Sequence, residues 1–125
     1  MAKGRISTTA SDKTDMFLLV MKKMFPDDEV VKEHKFHDAR KWRFDYAFPD
    51  LKVAIEIDGA VWAGGRHVNP AGYAKDMEKL NTAASMGWLV LRFTTADRFY
   101  LTTRKLIADT IALRKAQHIH SDEQH

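Results

Sequence analysis

Residues 42–59 read Trp-Arg-Phe-Asp-Tyr-Ala-Phe-Pro-Asp-Leu-Lys-Val-Ala-Ile-Glu-Ile-Asp-Gly. Trp42, Phe44, Tyr46 and Phe48 alternate with Arg43, Asp45 and Ala47, the period of a strand with two unlike faces. Pro49-Asp50 supplies a turn, after which Val53, Ile55 and Ile57 alternate with Ala54, Glu56 and Asp58. The stretch is therefore expected to be a β-hairpin. A two-residue loop at Pro49-Asp50 would set Phe48 opposite Leu51, Asp45 opposite Ala54 and Arg43 opposite Glu56. Any loop with an even number of residues preserves which residues share a face. Asp45, Glu56 and Asp58 then point the same way, with Asp45 and Glu56 as diagonal neighbours roughly 7–8 Å apart. The aromatic and branched residues are expected to form the core on the opposite face.

Three carboxylates on one face of an apolar hairpin repel one another and raise each other's pKa unless positive charge sits between them. A hard divalent cation held by oxygen ligands meets that need, and Mg²⁺ takes one or two carboxylates together with water and phosphate. The plainer alternative is a solvated face with ordinary surface charges.

The rest of the chain is arranged around this hairpin. Its 125 residues suit one domain with a single core, and the absence of cysteine excludes disulfides and thiolate metal sites. No apolar run reaches spanning length and no secretory h-region is visible, so a soluble, cytoplasmic protein is expected, with no membrane partner. Residues 1–10 read as a basic arm. Ser11 or Thr14 is placed to cap a first helix carrying Phe17, Val20, Met21 and Met24 and ending before Pro26, with Asp12 and Asp15 in its first turn. Residues 30–37 suggest an edge strand paired with the hairpin. From Lys32 to Arg43, five basic residues oppose two acids, an excess equal to the net charge of +3 for the whole chain. Positive potential gathered beside the acidic face suits phosphate neutralisation, which positions a nucleic acid without reading its sequence.

Residues 59–70 form a glycine-rich loop with Arg66-His67 at its tip and no phosphate-cradling fingerprint. A helix from Ala71 to Met86 is expected to bury Tyr73, Met77, Leu80 and Ala84, with Asp76 and Lys79 side by side on an adjacent face. Gly87 closes it. Residues 88–93, nearly all apolar, read as an interior strand parallel to an earlier one. Thr94 with Asp97 suggests the start of a last helix with Leu106, Thr110 and Leu113 inward, flanked by Ile107 and Ile111. Residues 117–125 read as a frayed tail whose His118 and His120, without further ligands beside them, do not make a metal site. The expected domain thus occupies residues 11–116.

This order, helix, three strands, helix, strand, helix, together with Asp45 and Glu56 flanking a turn, resembles the αβββαβ core of the PD-(D/E)XK nuclease superfamily. Arg-Lys-Trp-Arg-Phe-Asp at 40–45, Glu-Ile-Asp-Gly at 56–59, Gly-Gly-Arg-His at 64–67 and the run from Asp76 through 87–94 are similar to small phage-encoded endonucleases. They also resemble very-short-patch-repair type nucleases and some junction resolvases. The likeness spans about residues 12–112 and implies an α/β fold with a mixed sheet flanked by helices.

It further implies a Mg²⁺- or Mn²⁺-dependent DNA endonuclease acting in repair, recombination or processing. By this resemblance Asp45 and Glu56 are the metal-binding acids, with the backbone carbonyl of Ile57 and, more loosely, Asp15 as further ligands; Asp58, on the same face of the hairpin, is expected to join them at the metal. Asp58 stands where many members carry the motif lysine, and Lys79 on the following helix is the matching basic residue. Arg43, Lys41, Arg66 and His67 are assigned to the DNA backbone. Two alternatives stay open: a homodimeric Holliday-junction resolvase, and a catalytically inactive DNA-binding module of the same fold.

Overall fold

The computed structural model describes residues 15–59 and 70–123. Helix α1 spans Met16–Met24, β1 Val31–Lys35, β2 Arg43–Phe48, β3 Val53–Asp58, α2 Pro70–Ser85, β4 Leu89–Thr94 and α3 Leu101–Glu123. The four strands form one mixed sheet in the order β1-β2-β3-β4, antiparallel at the first two pairings and parallel between β3 and β4. This is the αβββαβα architecture expected from the sequence. Among the described residues, no helix is long and apolar enough to cross a membrane.

Two layers of helix bury the sheet on both faces. Phe48, Val53 and Ile55 pack against Phe17, Leu18 and Met21 of α1 and Ile107 and Ile111 of α3. Their strand neighbours Ala47 and Ala54 point the other way, into a second cluster with Phe36, Phe44, Trp88 and Ala83 of α2. The hairpin's aromatic residues therefore do not share one core face. Phe44 lies with Ala47 rather than with Tyr46 and Phe48, so the alternation breaks at Asp45. On β1 the residue facing this break is Glu33, between the pairs Lys32↔Tyr46 and His34↔Phe44. Glu33 has φ +53°, a left-handed backbone costing a non-glycine residue about 1 kcal/mol.

The hairpin loop is longer than a two-residue turn. Pro49–Leu51 form one 3₁₀ turn, Lys52 follows at φ +53°, and Phe48 pairs with Val53. Leu51 drops into the core instead of joining the ladder, which lengthens the loop to four residues. The even count keeps the faces but slides the register by two. Asp45 thereby stands directly across from Glu56 rather than diagonal to it.

The helices correct several expectations. Asp15 itself is the N-cap of α1, its Oδ1 accepting from the Leu18 N–H at 2.9 Å. The inward face of α2 is Asp76, Lys79, Leu80 and Ala83, whereas Tyr73, Met77 and Ala84 face outward. Gly87, at φ +90°, ends α2 with paired bonds from Gly87 N–H to Ala84 O and from Trp88 N–H to Ala83 O. Strand β4 lies at the sheet edge rather than in its interior, and its apolar residues pack to both faces, Leu91 and Phe93 against the cluster shared with α1 and α3 and Val90 against the cluster shared with α2. Thr94 Oγ1 accepts from the Asp97 N–H as expected, but that turn precedes α3, which begins only at Leu101. The buried stripe of α3 is Thr103, Ile107 and Ile111, with Leu106 and Leu113 exposed. The helix runs on to Glu123 through much of the segment expected to fray.

The assigned face of α3 has a direct test in urea unfolding. Ile107→Ala should cost about 2–4 kcal/mol, and Leu106→Ala less than about 1 kcal/mol. Equal losses would place both residues in the core.

Candidate active site

The pairing of β2 with β3 stops at Tyr46↔Ile55, and beyond it side chains take over the hydrogen bonding. The Asp45 N–H donates to Glu56 Oε2 at 2.8 Å, and the Ile57 N–H donates to Asp45 Oδ2 at 2.7 Å. Each carboxylate is thus fixed by a main-chain N–H from the opposite strand. The splay satisfies the buried donors while turning two acids toward each other.

Glu56 is 9% exposed. Its Oε1 accepts from Lys79 Nζ at 2.7 Å, so the helix that crosses the strands delivers a cation to the acidic pair. The ammonium also sits 5.5 Å from the Phe44 ring centroid. Burial pushes the Glu56 carboxyl above its ordinary value, and this outweighs the lowering by Lys79 and the Asp45 N–H. A raised folded-state pKa favours the fold fully below the unfolded value, and that support is lost as pH rises through the folded value. Ionised Glu56 at neutral pH therefore works against stability. Lys79 limits the cost.

The other expected site residues are distributed differently. Asp58 does not join a three-carboxylate cluster: Arg92 donates to Asp58 Oδ2 at 2.8 Å and to Asp76 Oδ2 at 3.1 Å, tying β3 to α2. Asp76 consequently pairs with Arg92, while its helix neighbour Lys79 turns to Glu56. Asp15 is held by the Leu18 N–H, the Tyr46 hydroxyl at 2.8 Å and Lys32 at 3.0 Å. Burial works to raise its pKa, but these three donors prevail and hold it below the ordinary value. Asp15 thus braces α1 against β2. Arg43 and Lys41 are exposed, with Arg43 4.0 Å from Glu33. Arg40 is stacked 3.9 Å over Trp42 and paired with Glu78 at 2.7 Å. Arg66 and His67 lie outside the described residues.

Arg92 and Tyr46 were not expected in these roles. Arg92 had a visible signal, as the one charge within Leu-Val-Leu-Arg-Phe at 89–93, and the parallel register sets it beside Glu56. Tyr46 had none, since an aromatic residue at a core-facing position does not announce a hydroxyl contact.

Among the described residues, no group of three or more His, Cys, Asp or Glu side chains is arranged to hold a metal. The pair Asp45 and Glu56 offers hard oxygen donors only, fixed by N–H groups and already drawing in one cation, Lys79. That donor set fits Mg²⁺ or Mn²⁺ with water and phosphate completing the shell.

Comparison with known proteins adds little. No family model and no solved structure matches the chain. Two uncharacterized proteins of Mycobacterium tuberculosis, from strains CDC 1551 / Oshkosh and H37Rv, are each 28% identical over 61 residues, 49% of this chain. The matched segment covers 21% of each relative's length.

A double-mutant cycle measures the Glu56–Lys79 pair. Lys79→Met alone should destabilise by about 2 kcal/mol, less than the roughly 3–5 kcal/mol for a fully dry pair because each side chain keeps some water. The double variant Glu56→Gln/Lys79→Met should recover most of that loss. Strict additivity in thermal or urea unfolding would mean that the two groups are not coupled.

Proposed function

We propose that this chain is a Mg²⁺-dependent endonuclease that hydrolyses phosphodiester bonds in DNA, with Mn²⁺ able to substitute. The observation that carries this reading is the meeting of Asp45, Glu56 and Lys79 where β2 and β3 part beneath α2. The resemblance to the PD-(D/E)XK core supports it, because these are the residues that the likeness assigns.

Hydrolysis requires a water oxygen to attack phosphorus, negative charge on the transition state to be stabilised, and the departing sugar oxygen to be neutralised. Asp45 and Glu56 would hold the metal, with the Ile57 carbonyl as a further donor. When bound, the ion lowers the pKa of water and polarises the scissile phosphate. The protein contributes the rest through fixed groups. The Asp45 and Ile57 N–H groups lock both carboxylates in place, so little reorganisation is needed on substrate arrival. Lys79, anchored on Glu56, supplies positive charge where charge develops on the phosphate and takes the part of the motif lysine that Asp58 replaces. Arg92 neutralises Asp58 and Asp76 and so keeps two further negative charges from repelling the incoming phosphate. Exposed Arg43 and Lys41, with Arg66 and His67, are assigned to the DNA backbone.

The test is cleavage of plasmid, linear duplex, single strand and four-way junction in Mg²⁺, Mn²⁺ or EDTA. Metal-dependent cutting is expected, reduced at least about a hundredfold in Glu56→Ala without loss of fold. Cutting by Glu56→Ala at the parent rate would refute the assignment. DNA binding without turnover on any substrate would identify an inactive binding module.

A further inference from the structure

Strand β4 is an edge of the sheet, and it is covered less completely than its neighbour β3. Val53, Ala54 and Ile55 of β3 are fully buried, whereas Leu89, Val90, Leu91 and Phe93 of β4 are only half-buried. Both helix layers sit inboard of this edge. Ala83 seats α2 on Ala47 and Ala54, and Ile107 and Ile111 seat α3 on Phe48, Val53 and Ile55. Among the described residues, no strand pairs with the outer side of β4. The backbone there is set for pairing. Leu89 N–H donates to Lys52 O and Thr95 N–H to Asp58 O, so the odd-numbered residues of β4 turn their N–H and C=O groups toward β3. Those of Val90, Arg92 and Thr94 therefore point outward.

The helix flanks beside the edge are apolar. Lys115 of α3 pairs with Asp28 at 2.7 Å, which turns that flank toward the segment between α1 and β1. The opposite flank, on the β4 side, carries Leu106, Thr110 and Leu113, with the two leucines 47% and 52% exposed. On the other face of the sheet, Glu78 and Lys79 of α2 turn toward Arg40 and Glu56. The opposite flank of α2 presents Tyr73, Met77 and Ala84, all exposed, on the β4 side. These two rows hold no charged side chain, and the one charge on β4, Arg92, is already bound to Asp58 and Asp76.

An edge with open backbone groups, apolar flanks and one neutralised charge attracts no phosphate and suits another strand. It also suits itself. A two-fold axis brings each residue near its own copy, and an uncharged patch meets its copy without repulsion. The register agrees. Antiparallel pairing of β4 with a second β4, Leu91 opposite Leu91, lets Val90 of each copy exchange both hydrogen bonds with Arg92 of the other. Leu89 then faces Phe93, and the two Arg92 side chains stay apart.

We propose that two copies of this chain join edge to edge through β4 into one continuous sheet, with the apolar flanks of α2 and α3 closing over the seam. The axis stands perpendicular to the sheet, so both Asp45–Glu56 pairs lie on the same face. The proposal goes beyond the nuclease reading and does not depend on it.

Sedimentation equilibrium of the full chain between about 1 and about 100 µM measures the association. The parent should reach twice the 14.4 kDa mass of one chain. Met77→Glu/Leu106→Glu, which sets like charges against their own copies, should stay monomeric with a native circular dichroism spectrum. Leu19→Glu, on the exposed side of α1 and remote from β4, should remain dimeric. The chain has no cysteine, so Leu91→Cys tests the register directly. Partners in a non-hydrogen-bonded antiparallel pair lie about 4.5 Å apart at Cα, within disulfide reach. Mild oxidation should therefore link the copies through Leu91→Cys and not through Leu19→Cys. A monomeric parent would overturn the proposal and leave the edge to a strand of another protein. A dimer that persists in Met77→Glu/Leu106→Glu, or that fails to link through Leu91→Cys, would overturn it as well.

Discussion

A carboxylate that is 9% exposed at the end of a strand pair must be compensated on every side, and the compensation of Glu56 organises this molecule. One oxygen takes the Asp45 N–H and the other takes Lys79. The first contact ends the β2–β3 ladder and lets the strands part, and the second fixes α2 across the gap. Asp45 completes the arrangement by accepting from Ile57. Removing Lys79 leaves a buried charge alone, whereas removing both partners leaves a polar gap that packing can tolerate. The site is thus a local source of instability held within a well-packed sheet.

The same compensation explains the orientation of α2. A helix chosen for packing alone would bury Tyr73 and Met77. Here those residues are exposed, and Asp76 and Lys79 face the sheet because Arg92 and Glu56 wait for them there. Ala83, with Ala47 and Ala54 beneath it, lets the helix lie close enough for both ion pairs to form. The left-handed Glu33, facing Asp45 across β1–β2, sits at the point where the hairpin's alternation breaks. Backbone strain at Glu33 and the buried charge of Glu56 thus gather at the same end of the sheet.

Much of this was legible in the sequence. The strand periods, the turn at Pro49, the closing Gly87 and the parity of the hairpin all led to the observed order of elements and to Asp45 and Glu56 on one face. What periodicity could not supply was anything decided by tertiary contacts. Leu51 prefers the core to the ladder, which slides the register and converts a diagonal pair of acids into a direct one. Apolar spacing alone does not locate the buried stripes of α2 and α3, because ion pairs and the adjoining faces decide them. Asp58 looked equivalent to Glu56 from its place in the alternation, and only the parallel register of β4 brings Arg92 to claim it. Lys79 was legible through the family resemblance and is placed on Glu56 by the structure.

The most direct test of the central claim is an anomalous difference map from crystals soaked in Mn²⁺. The account predicts a peak shared by the Asp45 and Glu56 carboxylates, lost in crystals of Asp45→Asn. An absent peak, or one seated instead on Asp58 and Asp76, would contradict it.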